Sequence, residues 1–292
     1  MIPASFDYIA PRTLDEAVRA LAEYGEEAKL LAGGHSLLPL MKLRLANPKL
    51  LIDLSKIPGL SGISQQDDKI VVGALTTHYQ IESSELAKRK CPLLSQTARV
   101  IGDVQVRNRG TVGGTLTHAD PSADWPAAIL ALAGELKLTG PKGGRWLAAE
   151  EFFLGPMTTA IEPTEILTEM RVPVLSRRCG SAYLKMAQQA SGFAIVGVAV
   201  WLRVGQKGRC EDIGVGVTGL SVKPFRARAA EERLRGNKLT PKLIEESASE
   251  VAEGSDPLED LHAAAKFRAH LARVYTSRAI QEAAKRAVGR NR

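Results

Sequence analysis

The chain has 292 residues, 45% of them hydrophobic and 24% charged, with a formal net charge of +7. That length and balance exclude a disulfide or metal mini-protein, a disordered chain and a fibre, and predict two domains with a substantial buried core. Three cysteines, Cys91, Cys179 and Cys210, with no CxxC spacing, fit neither a disulfide framework nor a zinc or iron-sulfur cradle and point to a reducing compartment. Met1 to Arg12 lacks the basic and apolar regions of a secretory signal, and the longest apolar stretch, residues 193–202, is about half a membrane span. The expected location is therefore cytoplasmic, with no transmembrane segment.

In chain order, Thr13 with Glu16 reads as a capping box opening an amphipathic helix from Leu14 to Tyr24, stopped at Gly25. Lys29 to Ala32 reads as a strand running into Gly33-Gly34-His35-Ser36 and then a helix from Leu37 to Leu45. Short strands are expected at 50–54 and 70–72, and a helix at 92–100 with Pro92 in its first turn. A second glycine site follows at Arg109-Gly110-Thr111-Val112-Gly113-Gly114-Thr115. Ser122 or Asp124 is the expected cap of a helix from Trp125 to Ala133, closed by Gly134 and followed by a strand at 135–139.

A β-type run at 166–172 ends at Pro173, and the domain boundary is placed near residue 177, giving domains 1–177 and 178–292. Beyond it, 182–187, 193–204 and 209–222 read as an antiparallel three-stranded meander, then helices at 229–234, 241–252 and 258–288, the last broken near Thr276-Ser277.

Adjacent glycines at a strand-to-helix junction let the backbone approach a ligand, and amides at the helix start favour an anion such as a pyrophosphate. Residues 32–36 and 111–115 both fit, with Thr111 and Thr115 as hydroxyl donors. Two such sites without a P-loop lysine suggest a dinucleotide shared between them. The G-x-G-x-x-G at Gly214, Gly216 and Gly219 is not a Rossmann fingerprint, because strand formers and Pro224 follow it where a helix is required; close strand packing is the simpler explanation. Ser36 is not a nucleophile elbow, since Leu38 occupies the final glycine position of G-x-S-x-G. His118, Asp120 and Asp124 read as loop and cap residues rather than metal ligands. From Lys266 onward eight basic residues face one acid, with only Phe267 and Tyr275 to stack on a base. A solvated face, or one meeting an acidic partner, explains them better than nucleic acid.

The two glycine sites and their surroundings resemble the FAD-binding medium subunits of molybdenum hydroxylases, most closely the carbon monoxide dehydrogenase type. The likeness runs over Ala32-Gly33-Gly34-His35-Ser36-Leu37 and on to Lys42, Ile101 to Gly114, Ala119-Asp120-Pro121 with Asp124, and Arg226-Ala227. It implies an α+β protein: an FAD-binding domain of the vanillyl-alcohol-oxidase (PCMH) type in two α+β subdomains, then a domain with a three-stranded antiparallel sheet and a helical bundle. It further implies FAD contacts at residues 32–37, Ile101, Thr111, Gly113, Gly114, Thr115, Asp124, Leu167, Lys185 and Phe193, with no catalytic or metal-binding residue in this chain. Thr115 stands where many members carry Asn, and Gly192-Phe193 where Asp-Tyr or Asp-Phe is frequent; Phe193 can stack on the flavin but offers it no hydroxyl. The implied role is electron transfer within a heterotrimer, in a dimer of heterotrimers. A large subunit would hold the molybdenum cofactor, a small one the [2Fe-2S] clusters, and a quinone or NAD would be the acceptor. The competing readings are a self-sufficient FAD oxidase or reductase and, more remotely, a nucleic-acid-binding or scaffold protein.

Overall fold

The computed structural model describes residues 2–175 and 178–289; the expected boundary at 177 lies outside the described residues. The N-terminal subdomain is a parallel sheet in the order Asp7–Ile9, Leu50–Asp53, Ala28–Leu31, covered by helix Leu14–Tyr24 through Ala17, Val18 and Leu21. The Thr13 hydroxyl accepts the Glu16 N–H at 3.2 Å, as a cap should. The Glu16 carboxylate turns to the Arg12 N–H at 2.9 Å, so the expected capping box is only half made.

The second subdomain is a wholly antiparallel sheet in the order Ile63–Gln66, Lys69–Gly73, Ile166–Pro173, Glu135–Gly140, Gly143–Ala148. Short helices cover one face, among them His78–Ser83, Pro92–Arg99, Val104–Arg109 and Val112–His118. The other face carries Lys69 and Arg171 on Glu135, Lys137 on Glu169, and the Arg171 guanidinium 3.9 Å above the Trp146 ring. Helix Asp124–Ala131 is buried along its whole length. Its N-cap is Ala123, not Ser122 or Asp124, because both the Asp124 side chain and the local chain path are committed elsewhere.

The third unit is an antiparallel sheet of Cys179–Ala187, Ala194–Val204 and Cys210–Thr218 with a fourth, two-residue strand Phe225–Arg226 that extends the expected meander. The sheet lies between two helices. On one face Gly180 lets helix Ala265–Gly289 come down, since a Cβ there would meet the Ala283 carbonyl and the Ala287 nitrogen. On the other, Gly214 and Gly216 lie under the carbonyls of Ala131 and Ala127, and the Trp201 Nε1–H donates to the Ala131 carbonyl at 2.6 Å. Those glycines are thus a close-packing surface, as their strand context requires.

Two helices differ from expectation. The one after Ser36 is only Leu37–Lys42, ended by Arg44 at φ +59. The last begins at Ala265 rather than Leu258 and runs unbroken through Thr276-Ser277, with Thr276 fully buried in a helix that packs on the sheet. Arg268, counted among the solvent-facing basic residues, is instead buried and donates to the carbonyls of Ile195 and Gly219 and to Asp260. Among the described residues no helix is long and apolar enough to cross a membrane.

Candidate functional site

A cleft of about 570 Å³ opens where the three units meet, and every sequence-predicted site residue except Lys185 lines it. Its first wall is the loop after strand Ala28–Leu31. Gly34 takes φ +80, a conformation that favours glycine, and turns the chain into helix Leu37–Lys42. The amides of Gly33, Gly34, His35 and Ser36 have no backbone partner among the described residues. These are the groups an anion in the cleft would meet. Ala32 and Leu37 flank them, and His35 is exposed.

The second glycine loop is built differently. Thr111 caps helix Val112–His118, its hydroxyl accepting the Gly114 N–H at 3.1 Å. The Val112 N–H goes to the Thr76 carbonyl at 3.0 Å and the Gly113 N–H to the Ala74 carbonyl at 2.8 Å. The expected second set of phosphate-binding amides is therefore already used, in holding the loop to the segment after strand Lys69–Gly73 and in the cap of its own helix. The glycines of the two loops divide their tasks as well. Gly33 packs on Arg109 and Gly110, Gly113 on Ala74, while a Cβ on Gly114 would meet the Thr111 hydroxyl at 2.8 Å and come into ordinary contact with Ala32 at 3.8 Å.

The third wall crosses between domains. Asp124 and Lys185 are both almost wholly buried and pair at 2.9 Å, and Tyr183 donates its O–H to Asp124 at 2.5 Å. Burial pushes the Asp124 carboxyl up, against the opposing pull of the Lys185 ammonium and the Tyr183 hydrogen bond. Burial and the neighbouring Asp124 likewise raise the Tyr183 phenol. Lys185 also donates to the Gly192 carbonyl at 2.5 Å. It is absent from the cleft lining and meets the cleft through these two partners, Asp124 and Gly192, which both line it. What it holds is the hairpin that carries Phe193, 41% exposed, to the cleft mouth. Opposite, the Arg107 guanidinium, paired with Glu82, donates to the Ile101 and Gly102 carbonyls, and Gly192 packs against Gly102. Leu167, 5% exposed, lines the floor.

Three contributors escape sequence reasoning: His78, Tyr183 and the Arg107–Glu82 pair. Only the Thr77/Gln80 capping box ahead of His78 leaves a sequence signal. His118 and Asp120 also line the cleft; Asp120 accepts the Ser122 N–H at 2.8 Å and so stabilises its own turn.

Residues 4–175 match the family described as the FAD binding domain in molybdopterin dehydrogenase, and residues 181–283 match the CO dehydrogenase flavoprotein C-terminal domain. The chain belongs to this family. Among its relatives, the carbon monoxide dehydrogenase medium chain of Hydrogenophaga pseudoflava is 38% identical over 97% of this chain and 98% of that protein. Caffeine dehydrogenase subunit beta of a Pseudomonas species is 35% identical over 99% and 98%. The solved carbon monoxide dehydrogenase from Hydrogenophaga pseudoflava that lacks the Mo-pyranopterin moiety superposes with a TM-score of 0.95 at 40% identity, covering 98% and 99% of the two chains. The fold is accordingly that of the flavoprotein subunits of this family. The cleft fits the family's cofactor: unpartnered amides on one wall, Gly114 with no side chain on the next, and an aromatic ring at the mouth.

Proposed function

We propose that the chain binds one FAD non-covalently in this cleft and is the electron-relay subunit of a molybdenum hydroxylase. The observation that carries the reading is the row of unpartnered amides from Gly33 to Ser36 facing Thr111, Gly114 and Thr115 across a cleft of dinucleotide character in a chain of this family. Bound FAD supplies exchange between one-electron donors and a two-electron acceptor. The chain's part is to bind and orient. The 33–36 amides would hold the pyrophosphate, and the side chains of Ala32, Leu37, Ile101 and Leu167 would exclude water along the walls. Asp124 and Lys185 tie the two domains together beside the cleft, and Phe193 would cover the ring at the mouth. In this reading residues 1–177 form the cofactor domain and 178–292 the domain that closes it.

Three cysteines, all buried and lying in separate segments, cannot supply the four thiolates of a [2Fe-2S] cluster, which supports placing the clusters in a small partner subunit and the molybdenum cofactor in a large one. Relatives of similar identity are named for carbon monoxide and for caffeine, which supports a substrate chosen outside this subunit. A dimer of heterotrimers, a quinone or NAD acceptor, and a cytoplasmic location complete the proposal. The test is anaerobic. The FAD-loaded lone chain should be bleached by dithionite and remain oxidised with carbon monoxide, aldehydes or purines. Turnover of any of these by the lone chain at about 1 s⁻¹ or faster, a rate typical of enzymes, would make it a self-sufficient oxidoreductase instead.

A further inference from the structure

His78 is 2% exposed at the start of helix His78–Ser83, behind the second glycine loop, and is among the residues that line the cleft. The Trp125 indole N–H, which can only donate, lies 3.0 Å from His78 Nδ1. Nδ1 must therefore offer a lone pair, and the proton of the neutral ring sits on Nε2. Nε2 is 3.4 Å from the Thr115 hydroxyl oxygen, which in turn is 3.2 Å from the Thr111 carbonyl. A carbonyl only accepts, so the Thr115 proton points back into its own helix, and His78 Nε2–H takes one of the two oxygen lone pairs. One lone pair remains. Burial, reinforced by His35 and Arg107, lowers the His78 pKa to about 4 and keeps this proton arrangement through neutral pH.

The geometry points to His78 as a positioning residue that turns Thr115 into a hydrogen-bond acceptor, so that Thr115 receives a hydroxyl of the FAD ribityl chain or adenosine ribose and does not donate to a phosphate oxygen. This rests on the FAD reading above and replaces the expectation that Thr115 is a phosphate donor. The protonless oxygens of a pyrophosphate have nothing to give the remaining lone pair; a sugar or ribityl hydroxyl does. Thr111 is free of this constraint, because its hydroxyl accepts from Gly114 and retains its own proton for the ligand.

The test uses the full chain stripped of flavin and titrated with FAD. Two analogues accompany it, one lacking the adenosine ribose 2′-hydroxyl and one with a hydroxyl-free alkyl chain in place of the ribityl. Thr115→Val should weaken FAD binding about tenfold, the size of one lost hydrogen bond, and the penalty should vanish with the analogue missing the partner hydroxyl. His78→Leu should cost about as much and leave Thr115→Val little to add, while His78→Gln, whose amide can accept from Trp125 and donate to Thr115, should restore binding. A Thr115→Val penalty that persists with both analogues, no penalty at all, or additive losses in the double variant would overturn the assignment. If His78→Leu does not fold, the Thr115→Val comparison across ligands decides alone. Failure of the unaltered chain to bind FAD would instead overturn the cofactor reading, and this inference with it.

Discussion

Gly33 and Gly114 bring the same residue type to the same cleft for different reasons. A Cβ at Gly33 would press on the Arg109 carbonyl and lie 2.9 Å from Gly110 Cα, backbone that cannot step aside. Gly33→Ala is therefore a packing lesion: melting should show a loss of about 1–3 kcal/mol, the usual cost of overpacking. Gly114→Ala displaces only the Thr111 hydroxyl at a residue that lines the cleft, so it should lose no more than the ~1 kcal/mol of a helix cap and lower FAD affinity. Equal effects on stability would contradict this division. His78 gives a pH prediction. Its folded pKa of about 4 lies below the ordinary 6.5, so the unfolded chain takes up the proton first as pH falls. Its stability contribution is full above the unfolded value and should shrink by about 3 kcal/mol between those two pH values. His78→Gln should flatten that part of the denaturation-versus-pH curve; an unchanged slope would assign it to other groups.

At the scale of elements, the helix Asp124–Ala131 joins the halves, packed between the helices of one subdomain and the sheet of the next. Its first residue forms the buried pair with Lys185, held by Tyr183. Removing one partner leaves a desolvated charge, so Lys185→Met should cost about 3–5 kcal/mol in denaturant unfolding, and Asp124→Asn added to it should recover part of that loss. A double variant less stable than Lys185→Met would deny the pair its role. The sequence made the glycine loops, the meander and the first helix legible because each is a local pattern: adjacent glycines, alternation, a cap. Asp124 and Lys185 entered as separate contacts to a cofactor, and their pairing was hidden by a sequence separation of 61. His78 and Trp125 stand 47 apart, and Tyr183 and Asp124 stand 59 apart, so no spacing rule joins them. The last helix misled for the opposite reason, since a local Thr-Ser signal was overridden by burial of Thr276 against the sheet.

For the whole molecule, the same long helix explains much of the basic C-terminal excess as an outer face, with Lys266, Arg273, Arg278 and Lys285 exposed and Arg268 turned inward as a strut for the end of the sheet. What the C-terminal sheet and long helix offer the cleft is the hairpin with Gly192 and Phe193. The first glycine loop offers amides, the second a wall, and the hairpin a cover. All three are needed only if one extended ligand occupies the cleft. Titration of FAD into the flavin-free chain and into Gly114→Leu, with circular dichroism on both, tests that claim most directly. One acid-releasable FAD per unaltered chain is expected, and a Gly114→Leu chain that keeps its circular dichroism but binds none, because a branched side chain on this lining residue would crowd the cleft beside Ala32. FAD bound by Gly114→Leu with unaltered stoichiometry and affinity would contradict it.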